Sequence, residues 1–389
     1  MRILHVIPSL AGSSGGPAQA VTQLCVELRN QGVEVAIATT CVDSGRNSNS
    51  VATYCFSRQF SPFLPSDFAF SYGLKYWLKQ HTKEFDLLHI HCLFTFPSAV
   101  ACYYAHKYKV PYILRPAGML SSVCLKKSAL KKKLYIFFLE ERNLRNAAAL
   151  HFTSEEEMFE AGRFKLNNQR ILLPPGLNLE KFRDIESLKG LFRNQYSQAK
   201  DKKIILFLSR IDPKKGLDIL IPALKILSGK RDDFVFILAG SGRKNYEHWV
   251  RRALAKAGLI KSSMFTGFLQ GRMKFALLAE ADIFVLSSYD ENFGIAVVEA
   301  MASSLPVIIS NRVNIHKLIE DYQAGVITEL DSGQIALALD RLLSDDNLRR
   351  QMGVNGRKLA GDNFDLKEIA SQMREVYSRL IRKGMGSVI

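Results

Sequence analysis

Two carboxylates stand just beyond an apolar strand in YDENFGIAVVEA (289–300), Glu291 in a strand-to-helix loop and Glu299 inside the helix that follows. Gly294 falls at the expected helix start, where unpaired backbone N–H groups and the helix dipole favour an anion. A phosphate docked on the amides of Asn292, Phe293, Gly294 and Ile295 would leave the two acids flanking it. Carboxylates repel phosphates, so they should face hydroxyls instead. Glu299 can accept two hydrogen bonds from a ribose diol, and Glu291 can accept from sugar hydroxyls. By itself the same spacing also fits two surface acids on an ordinary helix.

Two cations supply the matching chemistry in SRIDPKKGLDIL (209–220). Arg210 ends an apolar strand, and Lys215 precedes the Gly216 that opens a helix, so a diphosphate could bridge them at the strand's carboxyl end. A solvated basic turn is the plainer reading of that stretch alone. In SLAGSSGGPAQAV (9–21), Gly15 and Gly16 make a loop that a ligand can approach closely, and Pro17 suits a first helical turn. The loop lacks the glycine spacing of a dinucleotide site. Gly240, in AGSG (239–242), belongs to a further glycine turn at a strand end.

These groups need elements to hold them, and the apolar pattern provides them. Short apolar runs alternate with amphipathic stretches almost throughout. The first half reads as strands at 2–8, 33–40, 86–91, 112–116, 149–153 and 171–174, with helices near 17–30, 67–81, 97–108, 128–146 and 154–163. A polar interval, 175–202, reads as the linker. Strands at 203–209, 233–240, 264–269, 281–288 and 306–310 then alternate with helices near 216–228, 244–257, 272–280, 294–303 and 333–344. The tail after Asp365 reads as one amphipathic helix. This rhythm predicts two doubly wound α/β domains, 1–180 and 181–371, with helix 372–389 packing back on the first. Ligands in such sheets bind beyond the carboxyl ends of the strands, so a cleft between the domains is the expected site.

Together these residues resemble the retaining glycosyltransferases of family 4, and the resemblance covers essentially the whole chain. It rests on the ordered set of the glycine loop at 15–16, HIH at 89–91, PPGLN at 174–178, SRIDPKKG at 209–216, AGSG, FTGF at 265–268 and the Glu291–Glu299 pair. It implies the GT-B fold, two Rossmann-like domains facing across a cleft. It implies transfer of a sugar from a nucleoside diphosphate to an acceptor hydroxyl with retained configuration, and no metal. Arg210 and Lys215 would bind the diphosphate, Glu291 the donor sugar and Glu299 the ribose, with Gly16 approaching from the first domain. Base recognition would lean on the backbone near Gly267 and Phe268. Many relatives carry a histidine where this chain has Ala117, so Arg115 would have to compensate or the donor differ. His91 is placed on the acceptor side with Arg115, and His89 in a structural role.

Composition bounds the rest. The chain has 389 residues, 47% hydrophobic and 23% charged, which is globular and sufficient for two cores. No apolar run approaches the ~20 residues of a membrane span. No D-x-D metal pair occurs. All six cysteines lie in the first third without a CxxC spacing, and buried free thiols in the cytoplasm are the expectation. Net charge is +16, and residues 87–139 contain no acid at all. Within 126–145, lysines border an apolar stripe of Leu130, Leu134, Phe137 and Phe138. That is either a packed helix or one resting on the anionic inner face of a membrane; both can hold. A dehydrogenase lacks its glycine fingerprint here, and a nucleic-acid binder its reader motif. No nucleic-acid partner is expected. The remaining alternative, motivated by Ala117, is an inactive homologue that binds sugar or lipid.

Overall fold

Strand β1, Arg2–Ile7, is buried at every position after the first, as only a strand covered on both faces can be. The computed structural model describes residues 1–11, 16–41, 51–60, 65–121, 124–125 and 140–386. The chain divides into two compact units, Met1–Gly176 with Leu366–Ile389, and Leu177–Asp365.

Unit one alternates β1, α1 (Gly16–Asn30), β2 (Glu34–Cys41), β3 (Ala52–Ser57), α2 (Tyr72–His81), β4 (Leu87–His91), α3 (Phe96–Lys107), β5 (Tyr112–Arg115), α4 (Glu141–Asn146), β6 (Ala149–Phe152), α5 (Glu155–Ala161) and β7 (Gln169–Leu172). Its seven strands are parallel in the order β3-β2-β1-β4-β5-β6-β7. Unit two contains α6 (Leu191–Gln195), β8 (Lys203–Leu208), α7 (Leu217–Ser228), β9 (Phe234–Ala239), α8 (Lys244–Lys256), β10 (Ser263–Gly267), α9 (Gly271–Glu280), β11 (Ile283–Leu286), α10 (Ile295–Ala302), β12 (Val307–Ser310), α11 (His316–Asp321), β13 (Gly325–Thr328), α12 (Ser332–Ser344) and α13 (Asp346–Phe364). Its six strands are parallel in the order β10-β9-β8-β11-β12-β13. The last helix, α14 (Leu366–Gly386), returns to unit one. There Ile369, Ala370, Met373, Val376 and Tyr377 bury against Ile3, Leu87, Ile113 and Ala149 of the sheet.

Outside the interval 175–202, four elements escape the sequence pattern, for identifiable reasons. β3 lies at the sheet edge with most side chains exposed, so it carries no apolar run. β13 and α11 are too short to show a period. α13 is polar and glycine-containing, yet its glycines are what let it pack. A Cβ on Gly353 would stand 2.1 Å from the Ser304 carbonyl oxygen, just past α10. The interval 175–202 is not a loose linker: Phe182, Ile185 and Phe192 are buried in the core of unit two. The chain crosses between units at 176/177 and 365/366, where Leu177 N–H donates to the Phe364 carbonyl at 2.7 Å.

The cysteine expectation also needs correcting. Cys41 and Cys55 form a disulfide, because the unforeseen β3 lies beside β2 and brings their Cα atoms to 6.0 Å. Cys25, Cys92, Cys102 and Cys124 are free. Residues 126–139 of the basic segment lie outside the described residues, as does Gly15. Among the described residues no helix is long and apolar enough to cross a membrane.

Candidate active site

In unit two the strand order reverses between β8 and β11, so their following loops diverge and leave a crevice at the carboxyl ends. The loop after β8 is held tightly. Asp212 accepts from Lys214 N–H at 3.0 Å, capping the turn Pro213–Lys215. Gly216 follows with φ +71°, and a Cβ there would lie 1.8 Å from the Ser287 carbonyl oxygen. Only glycine allows this approach. Three bonds of 3.0 Å or less then join the loop to the one after β11. Ser287 Oγ donates to the Gly216 carbonyl at 2.8 Å, and Ser288 Oγ and Tyr289 N–H both donate to the Lys214 carbonyl, at 3.0 and 2.9 Å. Ser310 Oγ donates to the Ser288 carbonyl at 2.6 Å. Gly216→Ala is expected to cost about 2–4 kcal/mol, read as a lower urea midpoint for unit two; an unchanged midpoint would mean these loops relax freely.

This stitching puts Lys215 and Glu291 together as an ion pair, with Lys215 buried. Next to it Lys214 pairs with Asp290 at 2.5 Å. Backbone bonds fix Glu291 as well: its N–H donates to the Arg312 carbonyl, and its carbonyl accepts from Asn314 N–H, both at 3.0 Å. Gly294, at φ +81°, opens α10, and no side chain caps that helix. The first N–H groups of α10, including that of Ile295, therefore lack intrahelical partners at the crevice. The Phe293 ring packs edge-on against Phe364 at 5.3 Å, so only its backbone is free for a ligand.

Glu299 is buried on α10 and accepts from Lys274 Nζ at 2.6 Å. Lys274, on α9, was not singled out from the sequence. Its only signal is a lone cation in the apolar face of RMKFALLAE. Arg210 is exposed and, among the described residues, forms no ion pair or side-chain hydrogen bond with Lys215 or Glu291, so the two cations are not brought onto one partner here. Gly240 (φ +148°) donates its N–H to the Gly267 carbonyl at 2.8 Å, tying the ends of β9 and β10 together. Gly267 has φ +70°, and Phe268 beside it is 60% exposed.

In unit one, His91 and Arg115 are register partners at the carboxyl ends of β4 and β5, and both are buried. Burial, then the neighbouring His5 and the charge of Arg115, holds His91 well below its usual 6.5. His89 is bonded on both ring nitrogens, the structural role expected of it. Ala117 has φ +55° and precedes Gly118, whose N–H donates to Glu157 at 2.5 Å. Gly16 is the first residue of α1. His5 and His151, which join this cluster, were not read from the sequence, because single histidines inside apolar runs look like isolated core residues.

Two doubly wound parallel α/β units in one chain are the architecture of the GT-B fold. Residues 189–359 match the family Glycosyl transferases group 1, and residues 15–176 match the Glycosyl transferase 4-like domain. The chain belongs to glycosyl transferases group 1. It is similar to alpha-D-kanosaminyltransferase of Streptomyces kanamyceticus, 26% identical over 62% of this chain and 63% of that protein. It is also similar to phosphatidyl-myo-inositol mannosyltransferase of Mycobacterium leprae, 30% identical over 56% of each. These matches span between about half and two thirds of such curated relatives, 47% in the case of an uncharacterized glycosyltransferase of Methanocaldococcus jannaschii. Among solved structures, the Anabaena protein HepE, in complex with UDP and glucose, has a TM-score of 0.80 at 20% identity, covering 97% of this chain and all of that one. Sucrose-phosphate synthase from Thermosynechococcus elongatus also reaches 0.80, at 21% identity and 98% coverage of this chain.

Proposed function

We propose that the protein transfers a hexose from a nucleoside-diphosphate sugar to the hydroxyl of a glycan or lipid-linked acceptor, retaining anomeric configuration and using no metal. The observation that carries this reading is the Lys215–Glu291 pair beside the uncapped start of α10, at the switch point of unit two. A pyrophosphate arriving on those N–H groups takes over Lys215 as its counter-ion. Glu291, released, accepts hydrogen bonds from donor-sugar hydroxyls. Glu299 does the same for a ribose diol, in exchange with Lys274. Arg210, exposed at the end of β8, closes on the diphosphate as the second cation. The bond from the anomeric carbon to the phosphate oxygen breaks, the bond to the acceptor oxygen forms, and the departing diphosphate takes the acceptor's proton. The UDP and glucose held by the Anabaena relative support a nucleotide-sugar donor.

The test is release of free nucleoside diphosphate from a panel of nucleotide sugars, after a thermal-shift screen for donors. A panel of the common donors that gives binding but no turnover with plausible acceptors would favour a sugar-binding homologue. Lys274→Met is expected to raise the KM for the donor about tenfold with little change in kcat, because it orients a ground-state contact to the ribose. Equal losses in kcat and kcat/KM would place Lys274 in the transition state instead.

We also propose peripheral attachment to the cytoplasmic face of the membrane through 126–145, motivated by the acid-free stretch 87–139. Sedimentation with anionic but not neutral liposomes is the expected result. Absence from both pellets removes the proposal.

A further inference from the structure

Four histidines and one tyrosine form an unbroken hydrogen-bonded chain inside unit one. His151 Nε2 donates to the Leu173 carbonyl oxygen at 2.8 Å. His151 Nδ1 lies 3.1 Å from His89 Nε2, and His89 Nδ1 lies 2.7 Å from the Tyr377 hydroxyl. That hydroxyl lies 3.3 Å from His5 Nε2, and His5 Nδ1 lies 3.0 Å from His91 Nε2. At the far end, His91 Nδ1 is buried with no partner among the described residues.

Every proton in this chain is placed by the first one. A carbonyl oxygen only accepts, so His151 Nε2 must carry hydrogen, and a neutral imidazole then has Nδ1 as its acceptor. His151 Nδ1 accepts from His89 Nε2–H, and His89 Nδ1 accepts from the tyrosine O–H. With its single proton so engaged, the tyrosine oxygen accepts from His5 Nε2–H. His5 Nδ1 accepts from His91 Nε2–H, and His91 Nδ1 is left bare.

The surroundings keep the rings neutral. Burial, then the charge of Arg115, holds His5 and His151 down to about 3. The thiols that face the cluster, Cys25 on α1 and Cys92 after β4, are pushed up by burial, Cys92 to about 11, so they stay uncharged. Glu157, on α5, lies near Arg115 rather than against a histidine nitrogen in the chain. His5, His89 and His91 do offer nitrogens within 4.8 Å of one another, a possible metal triad. The guanidinium of Arg115 repels a cation there, and two of the three rings are already bonded on both nitrogens.

We propose that Tyr377, His5, His89 and His151 are positioning residues, which hold His91 Nδ1 unprotonated as an acceptor for a neutral sugar hydroxyl at the carboxyl ends of β4 and β5. Arg115 Nε, on the neighbouring residue in register and likewise buried with no partner among the described residues, supplies the complementary donor. A hydroxyl satisfies both, giving its hydrogen to Nδ1 and accepting from Nε–H. A phosphate lacks the hydrogen and an ammonium lacks the lone pair. Identifying the hydroxyl with a sugar rests on the glycosyl-transfer reading; the proton arrangement does not.

The full chain labelled with ¹⁵N-histidine tests the arrangement directly, through long-range ¹H–¹⁵N spectra at neutral pH. All four rings are expected neutral in the Nε2–H form, with His91 Nδ1 unprotonated. Tyr377→Phe cuts the chain in the middle. His5 and His91 are then expected to become tautomer mixtures, while His151, still tied to Leu173, does not change. A space-filling role for Tyr377 leaves His91 as it was, and that result overturns the proposal. So does an Nδ1–H at His91 in the wild type, or a spectrum that shifts when zinc is added and reverts with a chelator. His91→Gln, whose amide replaces the Nε2–H donor, is expected to keep His5 in its form; with the wild-type spectrum it decides the matter should Tyr377→Phe not fold. With the donor returned by the screen, His91→Gln is expected to raise the KM for the acceptor, on whose side His91 is placed, about tenfold. An unchanged KM assigns the partner to a water molecule and overturns the sugar assignment. Failure of every donor leaves the spectra valid, so the two readings fail separately.

Discussion

Lys215→Ala is expected to lower turnover by about 10²–10³, the loss of ~3–4 kcal/mol typical when a fixed group facing developing charge is removed. The side chain is 9% exposed, and its loop is tied to the loop after β11 by the serine bonds that also carry Glu291. An ammonium so enclosed does not have to reorganise when the diphosphate gathers charge, unlike the exposed Arg210. Removing it leaves Glu291 beside the leaving group with nothing to offset it, so repulsion adds to the lost attraction. Steady-state release of nucleoside diphosphate reads the effect, and a thermal melt checks that the protein still folds. Glu291→Gln separates the roles: it keeps the shape while removing the charge, and is expected to raise KM for the donor as well as lower kcat. Wild-type turnover in both variants would move the site elsewhere.

Acid is expected to unfold unit one well before ordinary acid denaturation. His5 and His151 titrate near 3 in the folded chain against an ordinary 6.5. An unfolded chain therefore takes up protons first as pH falls below 6.5, while the folded chain refuses them until about 3. The neutral rings' contribution is complete above pH 6.5 and is lost progressively between those two values. At pH 5 each ring costs about 2 kcal/mol relative to neutral pH, and His89 and His91 act in the same direction. Glu140, whose carboxyl is pushed up by burial, works the other way and is relieved on acidification. It is one group against four. The loss is comparable with the ~5–15 kcal/mol that holds a typical domain together. Trp77 lies on α2 of unit one and Trp249 on α8 of unit two, so Trp249→Phe leaves a signal from unit one alone. Its urea midpoint should fall steeply from pH 7.5 to 5. A midpoint that stays flat would show that the histidines keep ordinary basicity and that the buried chain opens to water.

Much of this was legible along the chain because it is local. Burial on both faces makes β8, β9 and β11 near-continuous apolar runs, and the loops that leave them carry Gly216, Gly240 and Gly294. Glu291, Gly294 and Glu299 could be set on a loop, a helix start and a helix from the apolar strand before them and the glycine between them. The strand β3 and the helix α13 stayed hidden for the opposite reason. Their stability comes from a neighbouring strand and from Ser304 and Met301 across a glycine contact, not from their own apolar pattern.

The residues alone determined the parallel α/β architecture, the two successive units and the charges available at strand ends, because periodicity and strand-to-helix turns are written in neighbouring positions. Tertiary structure decided who meets whom. It paired Glu299 with Lys274, a residue on another helix, joined Cys41 to Cys55, and threaded His151, His89, Tyr377, His5 and His91 into one hydrogen-bonded line. Those partners lie up to 372 positions apart in the chain. No periodicity reaches that far, and only the stacking of parallel strands beneath the returning helix α14 brings such groups within bonding distance.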